Sequence, residues 1–321
     1  AIYEYHQLPI ERAKNRRSIV MTEIATHCHF VVDTQGRAFN QKAPLSKLSR
    51  DKGIDEFHRL AGVLNSSSAL FWLKQTCFSK REAEEAEAGT YFEFTGGKVE
   101  QLPIPSWTLE SGRQQEQLTA FSRACWERGQ ELPGLAFKKL FEMEGEAYWA
   151  WNTALTGWVE PHSSLRKRGQ KGVRFETSED LVALQAKALS ERERLRAEMI
   201  ALQEEMDWLV YAAYGLLKAE DGKKPNDALW NFDPAKPFNI EPLQLGERPF
   251  ELLRDGKPIP AHFSAARRAR WQARLKVIQD NEHIRRIEQP VYKRRWYRKV
   301  SDEQEFKRAF EWWLLEKAEW W

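Results

Sequence analysis

Leu195, Met199, Leu202, Met206, Leu209 and Ala213 alternate spacings of four and three, which is the heptad seam of a helix lying along another helix over several turns. Thr177 and Ser178 stand upstream as N-caps, Glu179 and Asp180 follow where the helix dipole favours acids, and Gly215 is placed to end the helix. One long helix is therefore fixed before anything else is read. A chain of 321 residues leaves room around it for one large domain or two to three small ones.

The residues before this helix read differently. Ser18 to Val32 is rich in β-branched and aromatic residues, and Asp33-Thr-Gln-Gly36 supplies turn chemistry before Arg37 to Lys42, so a hairpin is expected there. Phe57, Leu60, Ala61, Leu64, Leu70, Phe71 and Leu73 follow at near-helical spacing between Ile54 and Phe78, with Gly62 and the Ser66-Ser67-Ser68 run as places where the helix splits. Tyr91 to Phe94 reads as a short strand before a Gly96-Gly97 turn, and Gln114 to Leu155 as helix interrupted at Leu132-Pro133-Gly134. Beyond the long helix, a proline-rich connection leads to a basic helix around Ala265 to Gln279. A last helix is opened by the capping-box spacing Ser301 to Gln304 and carries Phe306, Phe310, Trp313 and Leu314 on one side. The expected class is α+β, divided into a mixed sheet-and-helix lobe over 1–110, a helical connection with a basic loop over 111–177, and a mainly helical region over 178–321.

With 42% apolar and 30% charged residues, the composition excludes disordered and low-complexity classes. No stretch approaches the roughly 18 apolar residues of a membrane span, and Ala1-Ile2-Tyr3-Glu4 lacks the opening of a signal peptide. Three scattered cysteines without a C-x-x-C fit a reducing compartment. A cytoplasmic protein with no membrane partner is expected, and the absence of an initial Met points to a fragment.

Net charge is +3, yet from Arg267 to Lys299 twelve lysines and arginines face three carboxylates, so the rest of the chain carries −6. So localised an excess points to an anionic partner. In Tyr292-Lys-Arg-Arg-Trp-Tyr-Arg-Lys299, with Arg285 and Arg286 just upstream, cations that neutralise phosphates interleave with rings that stack on bases. The alternative is a solvated basic surface beside a Trp that fills core. Arg267, Arg270 and Arg274 share one helix face, either tracking phosphates or simply exposed. The stretch Arg166-Lys167-Arg168 to Arg174 joins five cations to two glycines and reads as a contact loop or a linker.

Other chemistry is sparse. His27 and His29 would share one strand face with Cys28 opposite, which brings at most two metal ligands together. Asp221-Gly-Lys223 and Asp255-Gly-Lys257 resemble half of a nuclease metal site but read more simply as tight turns. There is no G-x-G-x-x-G, phosphate-binding loop, G-x-S-x-G or H-E-x-x-H, so no self-contained catalytic site is expected.

Six segments together resemble the C-terminal region of PglX-type adenine-specific DNA methyltransferases of BREX phage-exclusion systems, and of the related type IIG and IIL restriction-modification enzymes. They are His27 to Asp33 running to Phe39-Asn-Gln-Lys-Ala-Pro44; Gly62 to Lys74; Tyr91 to Gly96 with Leu102-Pro-Ile-Pro105; Leu202-Gln-Glu-Glu-Met-Asp207 running to Tyr214-Gly-Leu216; Gly246-Glu-Arg-Pro-Phe-Glu251; and Ile284 to Trp296. The resemblance implies a target-recognition region that binds double-stranded DNA and follows a methyltransferase domain. The N-P-P-Y-type motif and the S-adenosylmethionine glycines of that domain are missing here, so no cofactor is expected in this chain and S-adenosylmethionine belongs to an absent N-terminal part. Arg37, Asn40 and Lys42 of the hairpin, with Arg166, Lys167 and Arg168 of the basic loop, are the candidate base readers, the alternative for the hairpin being solvent-facing polar positions on an ordinary turn. Arg267, Arg270, Arg274, Arg285, Arg286, Lys293, Arg294 and Arg295 are the candidate phosphate contacts. The rival readings are the specificity region of a type IIG enzyme and a scaffold whose heptad seam and Trp-rich end dock other phage-defence proteins.

Overall fold

The computed structural model describes residues 17–37, 39, 42–49, 52–81, 90–106, 112–142, 178–217, 229, 240–293, 296 and 300–318. The chain divides into two compact units, one formed by Ala1–Trp126 and Ala197–Tyr297, the other by Glu127–Arg196 and Arg298–Trp321. The fold is α+β, with two small antiparallel sheets among many helices.

In the first unit β1 (Ser18–Met21) is the middle strand of its sheet, between β3 (Phe30–Asp33) and β4 (Leu45–Ser46), with Ser18 opposite Asp33 and Val20 opposite Leu45. The second sheet runs β2 (Ile24–Ala25), β6 (Tyr91–Glu93), β5 (Phe78–Arg81). The expected hairpin is corrected in its pairing. Turn chemistry is present at Asp33, whose carboxylate accepts the Gln35 and Arg37 amides, and Gly36 takes φ 70°. The chain then crosses to the far side of β1 instead of returning along β3, so 37 and 42 lie on no strand. His27 and His29 are likewise off strand: His27 and Cys28 are buried while His29 is exposed, which removes the shared-face argument.

Helices α1 (Ile54–Leu64) and α2 (Ser67–Thr76) arise from the stretch expected to split, and the serines split it, since Ser66 Oγ accepts the Ala69 amide as N-cap. Asn65, between the helices, exchanges two hydrogen bonds with the Phe30 backbone at 3.0 and 2.8 Å and so substitutes for a strand partner at the start of β3. Gly62 stays inside α1 because it must, as a Cβ there would stand 2.9 Å from a methyl of Leu118. Gly96 and Gly97 open a short helix, α3 (Gly96–Glu100). Ile19, Met21, Phe30, Val32, Phe57, Leu64, Leu70 and Phe94 form the core between the strands, α1 and α2. Leu118 belongs to α4 (Arg113–Glu131).

The long helix, α6 (Ser178–Ala213), contributes its first part to the second unit and the rest to the first. The expected heptad seam is corrected: every residue from 200 to 211 is buried, so this part is a central helix and not one strand of a coiled coil. Leu202, Met206 and Leu209 meet Leu118 and Phe121; Trp208 and Tyr211 meet Ile278, Ile284 and Ile287; Ile200 and Ala201 meet Leu243, Phe263 and Trp271. Gly215 at φ 71° ends the helix as expected.

Among its described residues the first unit continues with α7 (Pro249–Asp255), α8 (Ala265–Asp280) and α9 (Glu282–Ile287), followed by the single turn α10 (Pro290–Lys293). The Asp255-Gly-Lys257 triplet is the C-terminal turn of α7, with Gly256 left-handed at φ 61° and the Lys257 amide donating to Leu252. The other triplet, Asp221 to Lys223, lies outside the described residues.

In the second unit α5 (Phe137–Glu142) and α11 (Asp302–Ala318) enclose an aromatic cluster with α6: Phe137 and Phe306 meet edge to face at 5.1 Å, and Phe141, Leu184, Phe310 and Trp313 surround them. The capping box forms, with Ser301 Oγ accepting the Gln304 amide and Gln304 Oε1 accepting that of Ser301. Leu314, expected on the inner face, is exposed. Arg192 pairs with Glu305 at 2.8 Å and lies over the Phe137 ring.

Candidate nucleic-acid interface

The cation-rich stretch from Arg267 onward divides into two populations. On α8 the residues Arg267, Trp271, Arg274 and Ile278 recur at spacings of four, three and four, and all four are buried. The shared face of the arginines is real, but Trp271 and Ile278 make it the inward one. Arg274 is 0% exposed; its guanidinium bonds Glu205 at 2.6 Å and the Leu229 carbonyl, between the rings of Trp208 and Trp271. Arg267 donates to the backbone carbonyls of Glu241 and Pro242, and the half-buried Arg270 reaches Glu205 at 3.4 Å. Burial lowers the basicity of Arg267 and Arg270, against the pull of Glu241 and Glu205.

Lys293 is also inside. Its ammonium, 1% exposed, lies 2.8 Å from Glu288, 3.0 Å from Asp207 and 3.1 Å from Glu204. Burial alone would lower its pKa, but the three carboxylates outweigh it and hold the group charged. Glu288 is pushed up to about 7, first by burial and against the pull of Lys293, and it accepts the Tyr211 hydroxyl at 2.6 Å. Asp207 also accepts the Ser67 amide and hydroxyl at 2.7 Å, and Arg248 joins Glu251 to the Lys293 carbonyl. Four of the six segments that carry the family resemblance, those containing Ser67, Asp207, Arg248 and Lys293, thus meet in one buried charge network. A phosphate clamp needs its cations at the surface, and at 267, 274 and 293 they are inside.

The second population faces out. Ile284, Ile287 and Glu288 turn inward from the segment around α9, which leaves Arg285 and Arg286 exposed on its other side. With Phe71 and Gln75 of α2, and with Gln289 and Tyr292, they line a groove of about 750 Å³. Phe71 and Tyr292 meet edge to face at 4.9 Å, and the Gln75 amide donates to the Tyr292 hydroxyl at 3.0 Å. Arg285 donates to the Gln279 carbonyl at 2.8 Å, and Arg286 pairs with Glu282. Lys74, directly before Gln75, donates to the carbonyl of Val291, another lining residue, and so ties α2 to α10.

Of the candidate base readers, Arg37 is 56% exposed with its Nε on Gln35, and Lys42 is 63% exposed and pairs with Glu23 at 2.8 Å. That bond to Glu23 is the main cause of a raised Lys42 pKa. Asn40, Arg166, Lys167, Arg168, Arg294 and Arg295 lie outside the described residues. Phe71, Gln75 and Gln289 were not singled out from the sequence as contact residues; the signal for the first two was their spacing of four, which puts both on one side of α2. Among the described residues no cluster of His, Cys, Asp and Glu could hold a metal ion, and no helix is long and apolar enough to cross a membrane.

The groove thus sets two exposed guanidiniums beside two aromatic rings, the side-chain types that nucleic-acid surfaces combine. The chain is 30% identical over 349 aligned residues to the adenine-specific methyltransferase PglX of Streptomyces coelicolor, a match that covers 99% of this chain and 24% of that protein. The chain therefore matches one region of a PglX-type methyltransferase and spans about a quarter of the relative's length. No family model and no solved structure matches it.

Proposed function

We propose that this chain is the DNA-contacting target-recognition region of a site-specific adenine methyltransferase of bacterial phage defence. Methyl transfer and S-adenosylmethionine binding then fall to residues outside it. The observation that supports this reading is the groove's pairing of two surface guanidiniums with aromatic rings, in a chain that matches a region of a protein named for adenine methylation. Arg285 and Arg286 are the phosphate contacts, joined by Arg294 and Arg295; Arg37, Asn40 and Lys42, with Arg166, Lys167 and Arg168, read base edges. Double-stranded DNA is the partner, and other phage-defence proteins are candidates for docking.

A salt series of gel shifts on duplex DNA tests the reading. Arg285→Gln combined with Arg286→Gln weakens binding to every duplex and lowers the slope of log affinity against log salt by up to about 1.8, two contacts at about 0.9 each. An unchanged slope in the folded variant removes the phosphate role. Calorimetric titration of the isolated chain with S-adenosylmethionine is expected to show no binding.

A further inference from the structure

The groove between α2 and the α9–α10 segment is more than a cationic surface. It is a shallow, open groove of about 750 Å³, roomy enough for one base, whereas a duplex backbone needs only cations along a ridge. Its two rings meet edge to face, with an interplanar angle of 64°, so one ring keeps both of its faces clear of the other. Tyr292 is also held in place, by Gln75 on its hydroxyl. The side chains of Gln75 and Gln289 each donate one bond, to Tyr292 and to the Arg285 carbonyl, which leaves their amide oxygens as acceptors at the groove wall.

The charges suit a phosphate at the rim. Arg285 is pre-ordered by the Gln279 carbonyl, which uses one of its five donors. Arg286 is paired with Glu282, but both side chains are more than half exposed, at 64% and 58%. Such a pair is worth little and exchanges readily for a phosphate that both arginines can share.

We infer that this groove takes one unstacked nucleotide of the bound DNA, its base against the ring of Tyr292 and its phosphate on Arg285 and Arg286. The inference rests on the DNA-binding reading and adds to it a site for a base out of the helical stack. An aromatic platform accepts any base, because every base has a π-face, so the groove holds DNA distortion and does not read sequence.

The test compares a fully paired duplex with the same duplex carrying one unpaired deoxyguanosine, each titrated with the complete protein. The bulged duplex binds about tenfold tighter, as expected for one base–aromatic stack. Tyr292→Leu removes that preference while Tyr292→Phe keeps it. A second measurement needs no substitution: 2-aminopurine at the unpaired position loses its emission on binding, because stacking quenches it. Equal affinity for the two duplexes with undiminished emission overturns the nucleotide site and leaves the DNA-binding reading standing. A preference that survives in Tyr292→Leu places the base elsewhere and also overturns it. Binding to neither duplex overturns the site and the DNA-binding reading together.

Discussion

Arg285 and Lys293 stand in one basic stretch and meet opposite surroundings. Arg285 projects into a groove beside exposed glutamines, while Lys293 is enclosed by three carboxylates at 2.8 to 3.1 Å. The number of cations in the stretch cannot separate them. What separates them is the company each keeps: around α9 the apolar Ile284 and Ile287 mark the inward side and put both arginines on the other, whereas on α8 Trp271 and Ile278 put Arg267 and Arg274 on the inward side. A buried cation then needs carboxylates, and here Glu204, Glu205 and Asp207 come from α6, far away in sequence. The same residue type thus organises the core in one place and presents charge in another.

Removing a cation from each population gives the sharpest contrast. Lys293→Met leaves Glu204, Asp207 and Glu288 without their shared partner in the protein interior, which costs about 3–5 kcal/mol of folding stability. Arg274→Met takes from the buried Glu205 its 2.6 Å partner and leaves it only the longer contact to Arg270, so the loss is smaller but of the same kind. Denaturant unfolding measures both; a loss below about 1 kcal/mol in Lys293→Met would show that the network does not hold the first unit together.

The network also makes stability depend on pH. The folded-state pKa of Glu288, about 7, lies above its ordinary 4.5, so the folded protein holds that proton more tightly than the unfolded chain. The resulting stabilisation is complete below about pH 4.5 and is lost as pH rises through 7, with a full span of about 3 kcal/mol. Glu288→Gln, which cannot ionise, flattens this part of the profile. Melting the two proteins between pH 5 and 8.5 checks it: a parallel fall in both assigns the dependence to another group.

Much of the architecture was legible in the sequence. Heptad-like spacing located α6, the serines divided α1 from α2, and Ser301 with Gln304 marked the start of α11. Less legible was what each face meets. The seam of α6 resembled a coiled coil because leucines and methionines at fours and threes look alike whether one partner or three surround the helix. The positions between them carried the missing signal: Trp208, Val210 and Tyr211 are too apolar for a solvated back face. The hairpin failed for another reason, since turn chemistry at Asp33 to Gly36 fixes a reversal of the chain but not which neighbour the next strand finds. Of the candidate site, Arg285 and Arg286 were readable; the contribution of α2 was not, because only tertiary structure brings Phe71 and Gln75 to Tyr292.

Packing around the central helix supplies a smaller effect. Gly62→Val pushes a branched side chain against Leu118 and Ser122, where a single Cβ already approaches to 2.9 and 3.3 Å, and costs about 1–3 kcal/mol. Pairing it with Leu118→Ala makes room and recovers part of the loss, a coupling that a double-mutant cycle reads directly. Strictly additive losses would mean that α1 and α4 do not meet as described.

The smallest expected effect completes the contrast with Lys293. Arg285→Gln and Arg286→Gln change folding stability by no more than about 0.5 kcal/mol, because both side chains are exposed and their bonds, one to a carbonyl and one to an exposed carboxylate, are remade by water. On the proposed reading their cost falls instead on DNA affinity. The ratio of the two losses therefore separates the populations: Lys293→Met lowers stability strongly and weakens DNA binding only through unfolding, while the arginine variants lower affinity at constant stability. Affinity measured well below each variant's melting temperature decides between these. If folded Lys293→Met also loses affinity with a reduced salt slope, the buried lysine comes out to meet phosphate and the division between core and surface cations does not hold.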